Sequence, residues 1–376
     1  MKRKEFLEIS GKSLIGMSVI GSLPFNSCTE HKVKNGGVML EVKTKRLNLQ
    51  HTWTISRNSS DYKDNVFVKI EKDGINGFGE AAPNIRYGED ADKTTKRIND
   101  CRGLITEYNL WHFAELKEEL FKLITDQNCA RCALDTALMD WVTKKLNVPL
   151  YKFLGIDKNK APVTSFSIGI DTPEVIKQKV REAEPYPVLK IKVGRDNDEE
   201  ILDAVRSVTD KPIRVDANEG WKSKEIALEK IKWLKTMGVE FIEQPMPSDM
   251  IEETRWLRDR VDMPIVADEA VKTAADIPKL AVAYDGINIK LMKAGGIQEA
   301  LRMIHLAKAL NMKIMLGCMI ESSIAIAAAA HLSPMVDWAD LDGNLLISND
   351  PFSGVDVEQG KLLLSDEPGL GIKGTF

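Results

Sequence analysis

Residues 188–192 read VLKIK, and the same pattern returns four times: IRVD at 213–216, EFIE at 240–243, PIVAD at 264–268 and INIK at 287–290. Each is a short apolar run closed by a charged residue, in turn Lys192, Asp216, Glu243, Asp268 and Lys290. The intervals between those charges are 24, 27, 25 and 22 residues. One strand, one return helix and two loops consume about that length in a (β/α) barrel, at roughly 30 residues per unit. The carboxyl ends of successive parallel strands open into one mouth. The spacing therefore predicts three neighbouring carboxylates with an amine on each flank.

Around these runs the pattern extends to eight strands, predicted at 163–169, 187–193, 212–217, 239–243, 264–268, 286–291, 313–317 and 337–341. Amphipathic helices lie between them, for example at 173–183 and 226–237. This is an α/β architecture, a closed TIM-like parallel barrel over residues 161–344. Upstream, residues 38–83 read as an antiparallel meander: 66–71 alternates apolar and polar residues, and Asp73-Gly74 and Asn76-Gly77 mark turns. Helical patterns follow at 93–105, 111–123 and 130–146. Strands followed by helices predict a separate α+β unit over 38–160. The tail, 345–376, is rich in Gly, Asp and Pro and is expected to run back onto that unit and help cover the barrel mouth.

A chain of 376 residues is too long for one simple core, in keeping with two units. The formal net charge of −4 gives no electrostatic reason to expect nucleic acid or an acidic membrane as partner. Residues 1–30 differ from the rest. Lys2, Arg3 and Lys4 precede a mildly apolar stretch at 14–25, too short for a stable membrane span, and then Cys28. This reads as an export signal and a periplasmic address. Arg3-Lys4 is similar to a twin-arginine signal, and Asn26-Ser27-Cys28 to a lipoprotein attachment site that would anchor the chain through Cys28. The other reading is a cytoplasmic protein with a loosely ordered start. Cys129 and Cys132 form a CxxC without a second pair, which reads as buried helix positions. Homo-oligomerisation is left open.

Three strand-end carboxylates offer the hard oxygen ligands that suit Mg²⁺, which keeps positions open for substrate oxygens. A substrate carboxylate could sit there. Loss of a proton from the adjacent carbon would turn it into an ene-diolate, whose charge the metal stabilises most in the transition state. Asn218 and Glu269 are expected to orient the ligands, though Glu269 reads equally as a solvated loop residue. Lys190 and Lys192 share the inward face of one strand. Lys190 is expected to stay charged and bind the substrate carboxylate, and the crowding of cations to lower the pKa of Lys192. Lys290 enters on the sixth strand, across the barrel axis. Two amines on opposite faces of one carbon can remove a proton from one side and return it from the other. Lys293, on the following loop, reads as a surface or structural residue.

LKIKVG, RVDAN, IEQP, VADE and INIKLMKAGG resemble the enolase superfamily, in its muconate-lactonising subgroup. The resemblance runs from about residue 38 to the end. It implies an α+β capping domain, built from 38–160 and completed by 345–376, on a (β/α)₇β barrel. It also implies Mg²⁺ on Asp216, Glu243 and Asp268, and acid–base roles for Lys192 and Lys290. Within the subgroup, Asp340-Leu341-Asp342 resembles the paired carboxylates with which dipeptide epimerases hold a substrate ammonium. The implied activity is epimerisation at the α-carbon of a dipeptide's C-terminal residue, as with L-Ala-D/L-Glu, in the handling of murein peptides. Arg57 falls where such enzymes carry an arginine for a glutamate side chain, with Arg86 as a rival; if neither faces the site, the expectation moves to another dipeptide. Ser165, Cys318 and Met319 are candidate substrate contacts, and Glu321 a supporting group. The alternatives are o-succinylbenzoate synthase or another cycloisomerase, whose amine-free anionic substrates the DxD would repel, and an exported binding protein without catalysis.

Overall fold

The computed structural model describes residues 37–376. Residues 1–30, expected to be an export signal, lie outside them, Cys28 included. No helix of the described residues is long and apolar enough to cross a membrane.

The chain begins with three antiparallel strands, β1 (Met39–Thr54), β2 (Ser59–Lys72) and β3 (Ile75–Ala81). Lys72 pairs with Ile75 across Asp73-Gly74. Both turn residues have positive φ, 54° and 73°, as a two-residue hairpin requires. The sheet buries Val66, Phe67, Val68 and Ile70 of β2. Helix Asn128–Lys145 packs on β3, where glycine is needed for close approach. A Cβ on Gly77 or Gly79 would collide with the carbonyls of Ala137 and Ala133. Cys129 and Cys132 are buried in this helix, Cys129 against Thr94.

Eight parallel strands follow: β4 (Phe166–Ile168), β5 (Leu189–Lys192), β6 (Ile213–Asp216), β7 (Val239–Glu243), β8 (Ile265–Ala267), β9 (Gly286–Lys290), β10 (Lys313–Gly317) and β11 (Trp338–Asp340). Each lies within its predicted window. They pair in sequence order, and a parallel bridge between Thr164 and Ala339 closes β4 onto β11. The return helices carry the caps that the sequence advertises: Pro173 opens Pro173–Glu182, and the Ser223 hydroxyl accepts from the Glu225 and Ile226 amides at the start of Lys224–Thr236.

Register positions the mouth. Lys192 pairs with Asp216, Asp216 with Glu243, Lys290 with Gly317 and Gly317 with Asp340. Neighbouring strands lie about 4.8 Å apart, so these residues form one ring. Two residues earlier on each strand, a lower layer plugs the barrel. Phe241, Val266 and Met315 form an apolar cluster there with Trp338 against it. Gly317 keeps the ring open, since a Cβ there would fall 2.6 Å from the Asn288 amide.

The tail returns to the first sheet. Phe352 stacks on Phe67 and meets Phe78 edge-on, with ring centroids 6.1 and 5.3 Å apart. Ile347 bridges to Leu49 in β1, and the Leu370 amide donates to Asp140 at 2.8 Å.

Candidate active site

Asp216, Glu243 and Asp268 end or follow β6, β7 and β8, all fully buried, with ligand oxygens within 4.8 Å of one another. Each is held in place. The Asn218 amide and side chain donate to the two oxygens of Asp216 at 2.8 and 3.1 Å. Asn288 donates to Glu243 Oε1 at 2.7 Å. Glu243 Oε2 makes no hydrogen bond; the Lys190 ammonium 2.6 Å away meets it only as a charge contact. Burial, and then the charge of Asp216, push Glu243 up to about 7. Three converging carboxylates, one with an oxygen free of hydrogen bonds and hard to ionise, are the donor set that a divalent cation satisfies. The residues fit a metal.

The loops behind the triad are strained. Asn218, Glu219 and Gln244 have φ of 44°, 63° and 36°, conformations that cost of order 1–3 kcal/mol each. Gln244 offsets this by pinning two strand ends. Its Oε1 accepts from the Asp268 and Ala270 amides, and its Nε2 donates to Met246 O and Tyr284.

Lys192 and Lys290 both line a cavity of roughly 350 Å³ over the triad. β5 and β9 are four places apart in an eight-stranded ring, so the two amines enter from opposite sides. Lys192 Nζ lies 2.6 Å from Asp216 Oδ2, with the Trp53 ring over it at 5.9 Å. Lys290 Nζ lies 2.9 Å from Asp268 Oδ2. Burial would lower Lys290, but Asp268 overrides it and leaves the ammonium above the ordinary lysine range.

Two expectations change and a third is narrowed. Lys190 does not face the cavity: it is 1% exposed, one layer below the ring, with Glu243 at 2.6 Å, Asp340 at 2.7 Å and Asp216 at 3.4 Å around its ammonium. It ties the triad to the DxD from beneath the cavity, out of reach of a substrate carboxylate. Ser165 is also beneath the cavity, donating to Asp340 Oδ1 at 2.7 Å; the serine that lines the cavity is Ser167. Of the two readings of Lys293, surface or structural, the structure supports the second. The short helix Leu291–Ala294 turns it back under Asp268, where it donates to Oδ1 at 2.5 Å and to Asn288 O at 3.1 Å.

Asp340 and Asp342 line the cavity together. Burial would raise Asp340, but the ammonium groups of Lys190 and Lys192 outweigh it and hold the carboxyl down at about 2. Burial, and then the charge of Asp340, push Asp342 up to about 7. The Ser167 amide donates to Asp342 Oδ2 at 2.5 Å. One permanent anion and one that titrates near neutrality make a site that gains from a cation.

The cap closes the cavity with Arg57 and Arg86. Arg57 donates to the Asn218 carbonyl at 2.6 Å, to Glu219 at 3.0 Å and to Glu269 at 2.7 Å. Arg86 takes Glu219 bidentately, both contacts 2.7 Å. Glu269 is therefore a buried ion-pair partner, with Asn218 also donating to it at 3.2 Å. Glu219 had no signal in the sequence beyond following RVDAN. Cys318 and Met319 line the cavity, and burial holds the Cys318 thiol well above its usual range. Glu321 accepts from the Met319 amide at 2.7 Å, outside the triad, and burial pushes it up to about 8.

Comparison with known proteins agrees with this geometry. Residues 39–155 match the mandelate racemase / muconate lactonizing enzyme N-terminal domain, and residues 174–374 the enolase C-terminal domain-like family. An L-Ala-D/L-Glu epimerase of Bacteroides thetaiotaomicron is 40% identical, with 98% of each chain covered. An L-Ala-D/L-amino acid epimerase of Pedosphaera parvula is 42% identical over 86% of this chain and 94% of its own. The crystal structure of a dipeptide epimerase from Enterococcus faecalis, complexed with Mg and the dipeptide L-Leu-L-Tyr, superposes with a TM-score of 0.85 at 32% identity, covering 89% and 99% of the two chains. Strand-end charges, a closed barrel under an antiparallel cap and matches running through both domains lead to one assignment: the chain belongs to the enolase superfamily, in its mandelate racemase / muconate lactonizing enzyme branch.

Proposed function

We propose that this protein is a Mg²⁺-dependent dipeptide epimerase that inverts the α-carbon of the C-terminal residue, with L-Ala-D/L-Glu as its leading substrate. The observation that carries the reading is one cavity holding Lys192 and Lys290 on opposite walls and Asp340 with Asp342 on the same rim. The names of relatives aligned over most of the chain support the choice of dipeptide.

Asp216, Glu243 and Asp268 would hold the metal, and when bound it supplies positive charge against the negative charge that develops on the substrate carboxylate. The residues of the chain do the rest. Asp340 and Asp342 orient the substrate ammonium. That places the C-terminal α-carbon between the two lysines. A neutral lysine on one wall takes the α-proton, and the ammonium on the other delivers one to the opposite face. The roles exchange when the other epimer reacts. Trp53, Arg57 and Arg86 cover the cavity from the cap and limit water.

The discriminating experiment is epimerisation in D₂O with L-Ala-L-Glu and Mg²⁺. Deuterium should enter the glutamate α-position as the D-epimer forms. A protein that binds dipeptides without exchange would be a binding protein, and turnover confined to amine-free acids would be a cycloisomerase. We further propose an exported, periplasmic location, which rests on residues 1–30 alone, and a role on murein peptides, which rests on the L-Ala-D/L-Glu reading.

A further inference from the structure

Three cations of the cap line the cavity: Arg57, Lys63 and Arg86. The two arginines are committed, Arg57 to Glu219, Glu269 and a carbonyl, and Arg86 to both oxygens of Glu219. The charge of each is already balanced by buried acids, so an incoming carboxylate finds no unpaired cation in either. Lys63 differs. Among the described residues its ammonium has no ion pair and no hydrogen bond, and burial alone, with no charged neighbour, lowers its pKa. The acids beside it in sequence are occupied elsewhere: Asp61 accepts from Thr52 at 2.6 Å, and Asp64 is held by Arg46 at 2.9 and 3.1 Å. Its cross-strand partner is Leu47.

Lys63 is also aimed. It lies two residues before Asn65 on β2, so the two share one face of the strand. Asn65 is fixed to the barrel mouth, donating to the Ile320 carbonyl at 3.0 Å and to Glu80 at 2.8 Å. Both residues line the cavity. A half-buried cation without a partner is unfavourable in the free protein. It becomes favourable when an anion arrives.

The charges of the cavity leave one place for that anion. With the substrate carboxylate at the triad and the ammonium at the DxD, the remaining substituent of the reacting carbon is its side chain, which must leave toward the cap. We propose that Lys63 is the specificity-determining residue for an acidic C-terminal side chain, a role the sequence assigned to Arg57 or Arg86. This rests on the dipeptide reading above. Lysine suits the task better than a fixed arginine fork: the side chain takes two directions as the α-carbon inverts, and a flexible four-carbon stem can follow it.

The test compares L-Ala-L-Glu with its neutral isostere L-Ala-L-Gln, reading α-deuterium incorporation in D₂O for wild type, Lys63→Met, Lys63→Arg and Arg57→Met. Wild type should prefer Glu. In Lys63→Met the ratio of kcat/KM values, Glu over Gln, should fall at least tenfold, chiefly through KM for the Glu substrate, and Lys63→Arg should restore most of it. An unmoved ratio in Lys63→Met, an equal loss on both substrates, or a collapse of the ratio in Arg57→Met alone overturns the proposal. If Lys63→Met does not fold, Lys63→Glu assayed with L-Ala-L-Lys decides, because reversed charge should raise turnover of that peptide relative to L-Ala-L-Glu, and no such reversal rejects the role. A wild type that exchanges no dipeptide refutes the epimerase reading itself; one that exchanges Gln as readily as Glu refutes only Lys63.

Discussion

Acid should disable recognition of a dipeptide before it disables the fold, and Asp342 should be responsible. Asp340 is held near about 2 and stays ionised throughout the working range, whereas Asp342 titrates at about 7 under burial and the charge of Asp340. The substrate ammonium favours the doubly ionised pair. From pH 7 to pH 5 the ionised fraction of Asp342 falls from about one half to about one in a hundred, which corresponds to about 2.3 kcal/mol of lost attraction. On the acid side kcat/KM for L-Ala-L-Glu should therefore drop nearly tenfold per pH unit below about 7. kcat should change much less, because a bound ammonium keeps Asp342 ionised. On the alkaline side a second limb should follow deprotonation of the peptide amine near about 8.

Asp342→Asn isolates the cause. The amide keeps an acceptor for the Ser167 backbone donor, so the loop should hold its shape. The variant should lose the acid limb and run about 10- to 100-fold below wild type at pH 8, the worth of a hydrogen bond to a charged group. Glu243 also sits at about 7, but metal competes with its proton. A limb belonging to Glu243 should move to lower pH as Mg²⁺ is raised, and a limb belonging to Asp342 should stay. If Asp342→Asn keeps the wild-type acid limb at saturating Mg²⁺, the assignment of the ammonium site is wrong.

Lys192→Ala and Lys290→Ala should each lose at least about 10²–10⁴-fold in epimerisation, the usual weight of one acid–base group, with unchanged far-UV circular dichroism; full activity in either would remove that lysine from the reaction. Mg²⁺ at about a hundred times its dissociation constant should raise stability by about 2.7 kcal/mol, seen as an upward shift in Tm that EDTA reverses and Glu243→Gln abolishes. Burial depresses His331 to about 4 from its ordinary 6.5. Between those values the unfolded chain takes up a proton that the folded chain refuses, so stability should be complete above pH 6.5 and decline by up to about 3 kcal/mol toward pH 4. Urea titrations at pH 7 and pH 4.5 measure this, and an unchanged midpoint would contradict it. Cell fractionation should place the protein outside the cytoplasm, and replacing Cys28 by Ala distinguishes a lipid anchor from a cleaved signal.

The barrel was legible because buried parallel strands read as unbroken apolar runs, and the triad because each run ends on its charge. Depth was not legible. Period-two alternation puts Lys190 with Lys192, and Ser165 with Ser167, on the inward face of their strands, but it carries no coordinate along the barrel axis. The structure separates them by one layer. Lys192 and Ser167 reach the cavity, and Lys190 and Ser165 lie beneath it. The strand-end rule contains the missing information. The residue that closes an apolar run belongs to the mouth, and the one two positions earlier belongs to the plug, with Phe241, Val266 and Met315.

Partnership was the second thing hidden. Arg57 and Arg86 lie 162 and 133 residues from Glu219, and no local pattern joins them, so both looked like free anion binders. Lys63, in the middle of a strand of mixed polarity, carries no mark of its own in the sequence. What distinguishes it is a missing partner, and a missing partner can be seen only when every other charge around it has been placed. A site's chemistry can thus be read from the residues that end its strands, whereas its selectivity depends on which charges the fold leaves unpaired.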